Sequence, residues 1–108
     1  MNTESFIKLL KSSDTINGNF DFTNSRDDLM DRDIENKKFE NCRIMKGDFA
    51  SGIFLNCSFN KVLFRETALV GVGFTDCNFI DCKFSNVECS FSMNNCKIKH
   101  LTITRENY

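Results

Sequence analysis

The sequence predicts an all-β coil, a thread that bends at short, equal intervals around one interior. Three regularities predict it. First, an apolar residue stands at every fifth position from 34 to 84: Ile34, Phe39, Ile44, Phe49, Phe54, Phe59, Phe64, Leu69, Phe74, Phe79 and Phe84. That period fits neither the helical turn of about 3.6 residues nor the two-residue alternation of a strand. Second, from Cys42 on, the slot two residues before each centre takes small side chains, running Cys42, Gly47, Gly52, Cys57, Val62, Thr67, Val72, Cys77, Cys82 and Val87. Third, the slot two residues after each centre is never apolar; it holds Asn36, Asn41, Lys46, Ser51, Asn56, Lys61, Glu66, Gly71, Asp76, Asp81 and Asn86. Turn-compatible residues at a fixed offset bend the backbone at every repeat, and each bend aims one large and one small side chain at the same interior.

The pattern resembles the pentapeptide-repeat family, whose unit reads small, any, Leu or Phe, any, any. Here it reads CRIMK, GDFAS, GIFLN, CSFNK, VLFRE, TALVG, VGFTD, CNFID and CKFSN. The small slot favours Cys where the family favours Ala, and Asp or Asn is scarce just before the centre. The resemblance implies a right-handed quadrilateral parallel β-helix with four repeats per coil, so that residues twenty apart stack. The sequence agrees with that bookkeeping. Phe39 falls in one column with Phe59 and Phe79, Phe54 with Phe74, Phe64 with Phe84, Cys57 with Cys77, and Cys42 with Val62 and Cys82. Rungs about 4.8 Å apart would let rings in one column overlap as offset stacks. The expected organisation is a cap over 1–28, a solenoid of three to four coils over 29–104, and a tail over 105–108.

Taken in order, residues 3 to 12 carry Phe6, Ile7, Leu9 and Leu10 on helical spacing, with Lys8 and Lys11 between them. This reads as a short amphipathic helix. Covering the open N-terminal end of the coil is its plain role, since an uncapped solenoid exposes core and unpaired backbone; docking a partner is the alternative. Asn17-Gly18 then signals a turn, and Phe20 and Phe22 mark an irregular lead-in strand. Leu29 sits one step before Ile34 in the five-residue phase, so the regular coil is expected to begin near it. After Asn86 the phase slips. Cys89 keeps it, Ile98 and Ile103 are one residue early, and reading Met93 as the intermediate centre places a four-residue side between Cys89 and Met93. A tightened corner is the structural reading and a binding notch the other. Cys96 returns to the column of Cys57 and Cys77, while Leu101 is oversized for its small slot and marks a last strand. That end would be covered by a partner subunit or blunted by Arg105 and Glu106.

Chemistry is sparse. The 108 residues carry a net charge of −1 with no basic run, so nothing recommends nucleic acid or an anionic membrane as partner. The start, MNTESFIKLL, lacks a signal-peptide stretch and a spanning segment, which points to the cytoplasm. Of six Cys, Cys42, Cys57, Cys77, Cys82 and Cys96 fall in the small inward slot and read as reduced packing residues. Parallel Cβ vectors would make Cys57 and Cys77 poor disulfide partners. There is a single His, His100, and no Cys-x2-Cys pair, so neither a nucleophilic triad nor a zinc site is indicated. Gly71 and Gly73 fill repeat slots and lack the strand-to-helix setting of a phosphate loop. Asp76 and Asp81 stand at solvent corners with no burial to raise a pKa. No catalytic residue, metal ligand or cofactor site is assigned, and the expectation is a non-enzyme.

What remains is surface. Residues flanking each centre point outward, and Met45, Ala50, Ile53, Leu55, Leu63, Ala68 and Val70 are apolar there. They are expected on two adjoining sides, as a patch that binds a partner or lies beneath the N-terminal segment. The expected function is a protein-protein interaction module presenting a flat side to a macromolecular partner, a toxin-neutralising or regulatory binder among them. A homodimer through the C-terminal coil or the apolar side belongs to the same class. The resemblance also implies an alternative: acidic family members shaped like duplex DNA bind type II topoisomerases such as DNA gyrase. Such a mimic needs a strong negative excess. Between 36 and 88 the chain carries Lys37, Lys38, Arg43, Lys46, Lys61, Arg65 and Lys83 against Glu40, Asp48, Glu66, Asp76, Asp81 and Glu88, which is balanced.

Overall fold

The computed structural model describes residues 2–23 and 29–105; expectations that fall on the remaining positions, Glu106 among them, lie outside the described residues. One helix, α1 (Thr3–Ser12), precedes ten strands. Asn2 caps α1 by accepting a hydrogen bond from the Ser5 amide at 2.9 Å, and Glu4 and Lys11 complement the helix dipole at its two ends. Its Phe6 is fully buried, meeting Phe20, Phe22 and Phe49 edge-on at 4.9, 5.2 and 6.2 Å. The helix therefore closes the N-terminal end of the coil, and Lys37 fixes it there by donating to the Ser13 carbonyl at 2.7 Å.

The strands are β1 (Thr15–Asp21), β2 (Asp33–Glu35), β3 (Lys38–Met45), β4 (Ile53–Leu55), β5 (Ser58–Asn60), β6 (Leu63–Arg65), β7 (Ala68–Thr75), β8 (Asn78–Ser85), β9 (Glu88–Asn94) and β10 (Lys97–Thr104). All pairings between them are parallel. One sheet runs β1-β3-β5-β8-β10, with β6 between β3 and β8; the other runs β2-β4-β7-β9. Register is in steps of twenty, as the repeat requires: Phe39 on Phe59 on Phe79, Ile44 on Phe64 on Phe84, and Ile34 on Phe54 on Phe74. The fold is a parallel β-helix with four columns of inward side chains.

Rings fill it. Phe39, Phe59 and Phe79 stack at 5.0 and 4.8 Å with planes 5° apart, and Phe54 stacks on Phe74 at 5.1 Å. Phe64 and Phe84 depart from the expected stack and meet edge-on, at 5.2 Å and 77°. Phe91 accounts for the turn: it packs against Phe84 at 5.5 Å and 80°, and edge-to-face contact is as favourable as offset stacking.

The corners explain the third sequence regularity. From Asp31 to Asn86 every residue two places after a centre has a positive φ: Asp31, Asn36, Asn41, Lys46, Ser51, Asn56, Lys61, Glu66, Gly71, Asp76, Asp81 and Asn86, joined later by Asn95 and His100, all lie between 50° and 71°. A left-handed residue lets the strand turn without leaving the ladder, as where the Asn56 amide donates to Thr75 O at 2.9 Å. Side-chain ladders reinforce some corners, for example Asn56 Nδ2 to Asn36 Oδ1 at 2.7 Å. Asn tolerates this region, and most other residues cost about 1–2 kcal/mol there. Glu66→Asn is accordingly expected to raise stability by about 0.5–1 kcal/mol in urea unfolding, and Glu66→Val to lower it.

Two coils break the five-residue step. Ile16 pairs with Phe39 but Phe20 with Ile44, so β1 takes four residues where β3 takes five, and Gly18 absorbs the shortfall at φ 120°. The five-residue phase starts at Leu29, yet the ladder starts at Thr15, so the lead-in strand is itself the first rung. At the other end Cys89 pairs with Leu69 and Met93 with Phe74, which is the four-residue side expected there. No left-handed residue sits in that corner. Its residue, Phe91, instead packs inward over Phe74 at 5.8 Å and Phe84.

Candidate binding surfaces

The interior offers hydrogen bonds but no chemistry to a ligand. Each Cys in the small slot donates its thiol to a carbonyl one coil earlier: Cys42 to Ile16 at 3.0 Å, Cys77 to Phe54 at 3.3 Å, Cys82 to Phe59 at 3.2 Å and Cys96 to Phe74 at 3.3 Å. Thr67 uses its hydroxyl likewise, toward Ile44 O at 3.3 Å, and also toward Arg65 O at 2.9 Å within its own coil. Small slots therefore suit residues that are compact and carry a donor, which is why Cys serves where Ala would only fill space. Burial pushes the Cys42 thiol from 9.0 up to about 11 and raises Cys82 and Cys96 as well. Cys77 is raised by its hydrogen bond with Cys57 and then by burial. Cys89 is the exposed thiol. At pH 8 a thiol reagent is expected to label Cys89 rapidly in the folded chain, and all six cysteines only after denaturation. Raised folded-state pKa values mean the thiols' contribution to stability is intact below pH 9.0 and is lost as pH climbs toward about 11.

Among the described residues, no group of three or more His, Cys, Asp or Glu side chains converges to hold a metal ion, and no buried side-chain nitrogen or oxygen lacks a partner. His100 lies on the surface at a left-handed corner, 3.5 Å from Asp81. No helix among them is long and apolar enough to cross a membrane.

The outward apolar residues are more dispersed than the sequence implies. Ile53 and Val70 are each 44% exposed, and they stand on either side of the corner where the Ser51 amide donates to Val70 O at 2.9 Å. Ala50 and Leu55 are half-buried beside them. Met45 and Leu63 stand on the other sheet, so the patch does not occupy two adjoining sides as expected. Ala68 is not surface at all, being 5% exposed, in register between Asp48 and Glu88. Neither N-terminal element covers Ile53 or Val70, because α1 sits on the end of the coil and β1 within the ladder.

Four exposed large apolar residues among those described escape the sequence-derived patch: Met30, Ile80, Ile98 and Ile103. Ile80 follows the centre Phe79 and was readable as an outward position. Ile98 and Ile103 occupy centre slots, where the repeat predicts burial, yet they are 52% and 55% exposed because β10 is the outermost strand of its sheet. With Phe59, Phe79 and Ile80, Ile98 lines a shallow groove of about 310 Å³.

Folding also sorts the charge. Arg43, Arg65 and Lys83 project from β3, β6 and β8, and Lys97 and Lys99 from β10. Asp33 and Glu35 on β2, Glu88 on β9 and the nearby Asp31 and Asp48 gather on the other sheet. No family profile matches the chain, and no curated protein matches it.

Proposed function

We propose that the chain is a non-enzymatic protein-binding module of the pentapeptide-repeat type, presenting a flat side of its β-helix to a macromolecular partner. The observation that carries the reading is the pair Ile53 and Val70, large apolar side chains standing open on either side of the rigid corner at Ser51 and Gly71. Contiguous exposed apolar surface marks interfaces, and an in-register ladder holds it without an ordering cost at binding. A toxin-neutralising or regulatory binder would use such a side. Free thiols throughout the coil fit the reducing conditions of the cytoplasm. The open end at Ile98 and Ile103 fits a second copy of the chain. The test is affinity capture from the native host with Ile53→Lys/Val70→Lys as the comparison. The variant is expected to melt like the parent and to lose the captured protein; equal capture by both would move the interface elsewhere.

One observation favours the DNA-mimic alternative. Asp33 and Glu35 on β2 and Glu88 on β9 belong to one sheet, with Asp31 and Asp48 beside it, an acidic grouping that the balanced composition conceals. On this reading micromolar protein inhibits supercoiling by DNA gyrase, and activity unchanged at that concentration eliminates it.

A further inference from the structure

Opposite sides of the pillar are complementary to each other. On the side whose centres are Phe20, Ile44, Phe64, Phe84 and Ile103, the outward residues Asn19, Arg43, Leu63, Lys83 and Thr102 form one column in direct register, with Asp21, Met45, Arg65, Ser85 and Thr104 in the next, so that three cations stand against the single carboxylate Asp21 on the first rung. The column order around the coil puts the side of Ile34, Phe54 and Phe74 opposite. There the outward columns are Asp33, Ile53 and Gly73, then Glu35, Leu55 and Thr75. Arg43, Arg65 and Lys83 are exposed, and among the described residues none of them forms an ion pair.

The order within each column is the informative part. On the basic side the aliphatic Leu63 lies one rung N-terminal to Lys83; on the acidic side Ile53 lies one rung C-terminal to Asp33. Two upright copies would set these orders against each other. Inverting one copy aligns them, with Ile53 on Leu63 and Asp33 on Lys83, while Glu35 comes within one rung of Arg65. Both surfaces repeat at the same spacing of about 4.8 Å, so the pairs stay in step along the contact, as they would not on a partner of different pitch.

We propose that the partner of these sides is a second copy of this chain, with the β-helices lying side by side and antiparallel, the basic side of one on the acidic side of the next. The proposal rests on the reading that a side of the coil binds protein. Each contact uses two different surfaces and leaves one of each free, so assembly is open-ended rather than closed at a dimer. A contact confined to one side of a molecule 33 × 30 × 24 Å across is close to the roughly 800 Å² per partner of stable complexes at most, so association is weak and reversible. A net charge of −1 offers little repulsion to oppose it.

The experiment is sedimentation velocity of the purified full chain over a concentration series, at about 0.05 M and about 0.5 M salt. Screening shortens from a length above about 10 Å toward about 3 Å over that range. Mass is expected to rise with concentration at low salt and return to monomer at high salt. Lys83→Asp and Asp33→Lys should each weaken association about tenfold, and the double exchange should restore it, with unchanged melting curves showing that all three fold. A monomer at every concentration overturns the proposal, as does association indifferent to salt or a double variant no better than the singles. If Ile98→Asp alone abolishes association, the end of the coil is the interface and the proposal fails. Sedimentation of the purified chain reads self-association with no foreign protein present, and host capture reads a foreign partner by its identity, so either result can fail without the other.

Discussion

Phe59→Asp is expected to abolish cooperative folding, because no site in the chain is more completely walled by rings. Phe59 is 1% exposed and contacts Phe39 at 5.0 Å, Phe79 at 4.8 Å, Phe54 at 5.5 Å, Phe64 at 5.8 Å and Phe74 at 5.9 Å. A carboxylate there finds no donor within the column and no water, and it also vacates the volume of a ring. Together these costs exceed about 5 kcal/mol, a large part of the stability of a small domain. Circular dichroism and thermal melting decide it. A soluble variant that still melts cooperatively near the parent temperature would show that the columns do not hold the fold. Phe59→Leu keeps most of the apolar volume and should remain folded at a cost of about 1–2 kcal/mol.

The second large effect is at the N-terminal end. Phe6→Ala is expected to destabilise by about 3–5 kcal/mol, since its ring is the lid on Phe20, Phe22 and Phe49. Unlike a core deletion, it also uncovers a strand edge. Loosening α1 exposes β1, the outermost strand at that end of its sheet, and an exposed edge templates pairing between chains. The urea midpoint should therefore fall and aggregation on heating should increase. A normal midpoint would mean that α1 lies on the coil without closing it.

The five-residue period was enough to read the columns, the corners and the four-residue side after Cys89, because each rests on a local rule repeated many times. The exceptions come from places where the local rule ends. β1 belongs to the ladder although its phase is wrong, since Gly18 at φ 120° lets four residues span what five span in β3. Phe91 reads as a residue in a missing corner, and only the neighbouring rings show that it points inward. The binding surface was harder still. Outwardness of Ile53 and Val70 follows from the slot, but the burial of Ala68 depends on the rungs on either side of it, at Asp48 and Glu88. Net charge conveyed nothing about the basic and acidic sides, because their separation arises from which corner each residue follows and not from any run along the chain.

Twenty-residue register has a kinetic consequence. Nearly every stabilising contact joins a residue to its neighbour one coil away, so each added coil closes a loop of the same length as the last, and loop-closure entropy does not grow with the number of coils already formed. Folding can then proceed as a zipper from whichever end nucleates first. The end plugged by Phe6 is the natural start, which would make the order of assembly run with the direction of synthesis.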